Sequence, residues 1–92
     1  MKKRFLTVIE DHFYFIENYG VWEVTGKEYD REGNVEARIF EQKKTVHGKR
    51  RSLTLNVRKI HEMLHNGEMR EATDAEIARF LLAGPDEVLE NK

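Results

Sequence analysis

The sequence predicts an α+β fold: an antiparallel β-meander of four or five strands over about residues 3–57, then two short C-terminal helices at about 57–66 and 74–84 packed on one face. Three observations predict it. Branched and aromatic residues alternate with polar ones through the first two-thirds of the chain, broken by short clusters of turn-forming residues. The period changes near Val57, where Val57, Ile60 and Leu64 recur at helical spacing. A capping-box sequence, Thr73-Asp74-Ala75-Glu76, then opens a second helical stripe.

Each element has its own signals. Residues 3–10 alternate and are rich in branched and aromatic side chains, and residues 12–17 repeat that character after the polar pair Glu10-Asp11. They read as one bulged strand or as two strands. Asn18-Tyr19-Gly20 supplies a reversal before Val21 to Tyr29, and Asp30-Arg31-Glu32-Gly33-Asn34 supplies a second one of hairpin length. A long strand follows from Val35 to about Val46, and His47-Gly48-Lys49 turns the chain again. Ser52 to Val57 returns with strict alternation that puts Leu53, Leu55 and Val57 on one face. Short links between successive strands imply antiparallel neighbours. Asn66-Gly67 stops the first helix; in the second, Ile77, Phe80 and Leu81 form the apolar stripe and Gly84-Pro85 ends it.

Ninety-two residues suffice for one core, so the chain is read as a single small domain over 1–92. It has no cysteine, which leaves no disulfide framework, thiolate nucleophile or Cys-type metal site. No apolar run approaches the roughly 20 residues that cross a bilayer, and acid appears by Glu10, too early for a signal peptide; the expected location is cytoplasmic, with no membrane partner.

The formal net charge of −1 conceals three unlike blocks. Residues 1–41 carry 6 basic and 9 acidic side chains, residues 42–61 carry 7 basic and none acidic, and residues 62–92 carry 3 basic and 8 acidic. The middle block holds Lys43, Lys44, Lys49, Arg50, Arg51, Arg58 and Lys59. Most of these flank one expected hairpin turn, making a basic finger suited to phosphates or to an acidic protein surface. Lysines and arginines at such a tip also serve as an ordinary defence of a sheet edge. Glu62, Glu68, Glu71, Asp74, Glu76, Asp86, Glu87 and Glu90 make the C-terminal region acidic; Asp74 and Glu76 at a helix start already answer the helix dipole.

One catalytic pattern stands out. His61-Glu62-Met63-Leu64-His65 matches the His-Glu-x-x-His motif and resembles the zinc metallopeptidases over five residues. That resemblance implies zinc as cofactor, held by His61 and His65, with Glu62 as general base on a bound water. The longer pattern with a third histidine is absent, and a third ligand falls to Glu76 or Glu87. The competing reading leaves His61 at the border of the core, Glu62 outward and His65 facing solvent or the second helix, with no metal. Ser52 has no elbow sequence around it, and no glycine-rich phosphate loop precedes a helix.

The reading preferred is a non-enzymatic interaction module without cofactor. Its basic hairpin, with Lys43, Lys44, Lys49, Arg50 and Arg51, together with Arg58 and its acidic helical side, would engage a larger protein or protein–nucleic acid complex. In size and lack of a catalytic motif the chain resembles, in kind, the accessory proteins by which bacteriophages block host enzymes, anti-CRISPR inhibitors included; no stretch of sequence carries that likeness and no binding residue transfers from it. The alternatives are the zinc protein and a stand-alone nucleic-acid-binding regulator. The latter is weakened by a second helix whose basic content is Arg79. The many aromatics on an open sheet leave room for a homodimer.

Overall fold

The computed structural model describes residues 6–42 and 51–83. Five strands and two helices follow one another as β1 (Phe13–Ile16), β2 (Gly20–Tyr29), β3 (Val35–Gln42), β4 (Arg51–Asn56), α1 (Val57–Asn66), β5 (Met69–Glu71) and α2 (Asp74–Ala83). The strands form one antiparallel sheet in the order β4-β3-β2-β1-β5. The meander, its antiparallel pairing and the two C-terminal helices are those expected.

Local chemistry explains the reversals. In the turn between β2 and β3, Asp30 Oδ1 accepts the amides of Glu32 and Asn34, each at 2.9 Å, and Gly33 takes a φ of +88° that a residue with a Cβ rarely adopts. Helix α1 ends the same way at Gly67, also at +88°, while Asn66 Oδ1 accepts Glu68 N–H at 2.9 Å and turns the chain into β5.

The two faces of the sheet are covered differently. On one, Tyr14, Ile16, Trp22, Val24, Phe40 and Met69 pack with Ile60 and Met63 of α1 and with Val8 to form the core, and Leu53, Leu55 and Leu64 lean against it. Alternation along β1 sends Phe13 and Phe15 to the other face. There Phe80 of α2 meets Phe13 edge-on, with ring centroids 5.5 Å apart, and the Arg70 guanidinium lies 4.6 Å over the Phe15 ring. The expectation that both helices share one face is therefore corrected: α1 covers one side and α2 the other. The cause is the Phe13-Tyr14-Phe15-Ile16 run, apolar on both sides and in need of cover on both.

A second correction concerns the first expected strand. Of that expected strand, residues 3–5 lie outside the described residues; residues 6–9 pair with no strand among the described residues, and side chains hold their backbone instead. Leu6 N–H donates to His61 Nδ1 at 2.9 Å, Ile9 N–H to the Tyr14 hydroxyl at 3.0 Å, and Arg38 Nη1 to Val8 O at 3.4 Å. Val8 is buried in the core, so the alternation reported burial faithfully without a ladder partner. The strand β5 was not expected; it pairs Met69 with Ile16 and Glu71 with Tyr14.

Candidate partner-binding surface

Strand β4 lies at one edge of the sheet and pairs with β3 from Gln42↔Arg51 to Ala37↔Asn56. Its register puts Arg51, Leu53 and Leu55 toward the α1 side and Ser52, Thr54 and Asn56 toward the other. Arg51, Ser52, Thr54 and Asn56 are exposed. The Arg51 guanidinium sits 5.7 Å from the Trp22 ring centroid, a position cation–π attraction favours. Trp22 is itself fixed by its indole N–H, which donates to Tyr19 O at 3.0 Å. Below this corner Gln42 is fully buried; its Nε2 donates to Val21 O at 2.9 Å, and its Oε1 has no hydrogen-bond partner among the described residues.

The chain passes from β4 into α1 without a loop. Asn56, extended at φ −65° and ψ 145°, caps the helix by accepting Arg58 N–H at 2.7 Å. The first turn then carries Arg58 and Lys59, both exposed, and no acidic residue. Neither has a carboxylate within ion-pair distance among the described residues. Arg58 borders an open recess with Asp30 and Glu36, and Lys59 borders another with Glu17 and Glu68. Carboxylates thus stand near the α1 cations, and the clean separation into two poles does not hold along this helix. Lys43, Lys44, Lys49 and Arg50, the greater part of the expected basic finger, lie outside the described residues.

On the acidic side, Glu76 of α2 is engaged within the fold. Glu76 accepts both terminal nitrogens of Arg70, at 2.9 and 2.8 Å, and its Oε1 also accepts Thr73 N–H at 2.9 Å. Thr73 Oγ1 accepts Glu76 N–H at 3.1 Å, so the expected capping box is formed. Hydrogen bonding from Arg70 holds the Glu76 carboxyl far below its usual range, at about 2. Glu71 lies 3.5 Å from His12 Nδ1. Asp74, Glu62 and Glu68 remain exposed, while Glu87, Asp86 and Glu90 lie outside the described residues.

The His-Glu-x-x-His residues do fall on one helix. The rings of His61 and His65 are stacked, with centroids 6.2 Å apart and planes at 22°. His61 Nδ1, however, accepts the Leu6 amide. A neutral imidazole has one nitrogen lone pair free to accept, so in this arrangement Nε2 carries the proton and His61 would have to give up its bond to Leu6 before ligating a metal. Glu76, offered as a third ligand, is engaged by Arg70 and belongs to a helix across the sheet from α1. Among the described residues no three His, Asp or Glu side chains cluster as a metal site.

Sequence reasoning missed Arg38 and Arg70. Arg38 is buried and donates from Nε to Gly26 O and from Nη1 to Val8 O, both at 3.4 Å; no local pattern marks it off from the exposed cations. No described helix is long and apolar enough to cross a membrane. Comparison with protein families, with curated proteins and with solved structures gives no match.

Proposed function

We propose that the protein is a binding module that docks its basic β4–α1 surface on an anionic surface of a larger protein or protein–nucleic acid complex. The observation that carries this reading is the first turn of α1. Positive charge at a helix N-terminus opposes the macrodipole, and Arg58 and Lys59 stand there exposed and without an acidic neighbour in the turn. A surface that forgoes stability in this way is more economically explained by what it binds than by the fold. Arg51, held over Trp22 at the start of β4, adds a third cation to the same edge. Inhibition of a host enzyme by a phage-type protein is the narrower form of this reading and rests on size and lack of a catalytic motif.

The zinc alternative has less support, because His61 Nδ1 is taken by Leu6 and Glu76 by Arg70. Fluorescence anisotropy with labelled polyglutamate and with single- and double-stranded oligonucleotides tests the proposal. The expected result is polyanion binding that weakens as salt rises and drops about tenfold in Arg58→Glu/Lys59→Glu. Equal affinity of the variant, or no binding to any polyanion at low salt, would overturn it.

A further inference from the structure

Where the basic surface meets its partner is narrowed by the edge of β4. Six residues long, β4 hydrogen-bonds to β3 on one side, and among the described residues nothing pairs with its other side. In an edge strand alternate residues point their N–H and C=O groups outward, and exposed strands of this kind take up a further strand. The opposite edge offers no such run: β5 has three residues, and immediately after it Ala72 N–H donates to Phe13 O as the chain leaves for α2.

Natural sheets commonly guard a free edge with a charge pointing inward, a proline or a bulge. Between Ser52 and Asn56 there is none of these: the residues are Ser52, Leu53, Thr54, Leu55 and Asn56, in unbroken register with β3. The charges flank this stretch instead, with Arg51 at its start and Arg58 and Lys59 in the first turn of α1 just past its end; the strand between, from Arg51 to Asn56, is about 17 Å long at strand spacing. The half-buried Leu53 and Leu55 line the row on the α1 side, and the hydroxyls of Ser52 and Thr54 line the other.

From this we infer that β4 accepts an extended acidic peptide as a sixth strand. Its backbone continues the ladder, its apolar residues extend the Leu53–Leu55 row, and its terminal carboxylates meet Arg51 at one end and Arg58 and Lys59 at the other. A second copy of this chain is the poorer fit, because β4 against β4 brings two sets of these cations together. The inference rests on the binding-module reading and specifies its partner.

The probe is the peptide Glu-Thr-Val-Thr-Val-Thr-Glu with blocked ends, measured by calorimetry against the full chain. Two N-methylated isomers, one for each edge of the peptide, and a version with lysine in place of both glutamates complete the set. The expected result is binding of the parent peptide, loss of about tenfold or more in one N-methyl isomer but not in the other, and a comparable loss in the lysine version. Equal binding of both isomers, or of the lysine version, would overturn the strand. Failure of the parent peptide while an oligonucleotide binds would also overturn it, yet leave the binding-module reading standing. If neither binds, both fall. Dimerisation of the free protein in sedimentation, with peptide unable to dissociate it, would assign the edge to a second copy and overturn the inference.

Discussion

Each helix begins with a side-chain cap, but their first turns carry opposite charge. In α2, Asp74 and Glu76 stand where the helix dipole favours negative charge, and Glu76 closes both a capping box and a forked bond to Arg70. Every one of those features lowers the energy of the fold. In α1 the equivalent turn holds Arg58 and Lys59, which the dipole disfavours. The stability of α1 comes instead from beneath, where Ile60 is fully buried and Met63 nearly so. A helix anchored that firmly tolerates an unfavourable first turn, and the contrast separates charges that serve the fold from charges available to a partner.

The largest effect should come from the anchors. Ile60→Ala empties a site in the main core and is expected to cost about 2–5 kcal/mol, lowering the global unfolding midpoint in denaturant. Phe80→Ala acts on the other side of the sheet, where the ring meets the half-buried Phe13 outside the main cluster. About 2 kcal/mol is expected, with hydrogen-exchange protection lost mainly in α2. Equal global destabilisation by both would mean that the faces are not distinct.

The Arg70–Glu76 pair gives a smaller, pH-dependent effect. The folded carboxyl is depressed to about 2 from its usual 4.5, so its contribution is present above 4.5 and is lost as pH falls toward 2. Both side chains are partly solvated, so the contribution is about 1 kcal/mol or less. Arg70→Ala should lower stability at neutral pH by about that amount, leave it little changed near pH 2, and so flatten the acid limb of the stability profile between the two. An unaltered limb would show that the pair does not hold α2.

Smallest, and opposite in sign, are the first-turn exchanges. Lys59→Glu should stabilise the protein by about 0.3–1 kcal/mol, whereas Asp74→Lys should destabilise it by a similar amount, both read from thermal midpoints. Loss of stability in Lys59→Glu would indicate that the lysine serves the fold after all.

Much of this architecture was legible because its signals are local. The turns at Asp30–Asn34 and Asn66-Gly67 depend on side chains that bond within four residues, and α1 runs over 57–66 as its stripe predicted. The features that were missed depend on partners that the local pattern does not mark. Residues 6–9 alternate like a strand, but their amides found His61 and Tyr14, 55 and 5 residues away. With three residues β5 is too short to show a period, and it exists because Met69 pairs beside Ile16. The two-sided cover of the sheet was implicit in Phe13-Tyr14-Phe15-Ile16, whose four large side chains point alternately to both faces. At the site, Arg51 and Arg58 are both exposed, one on β4 and the other on α1. The internal use of Glu76 was not expected, since its partner Arg70 is placed by β5.

The central claim, that the protein works through the β4–α1 edge, is tested most directly by amide chemical-shift mapping of the labelled protein as a polyanion is added. The account predicts shifts concentrated in residues 51–59, diminished by salt, with α2 unmoved. Shifts confined to α2 and its neighbours Phe13 and Phe15 would contradict it.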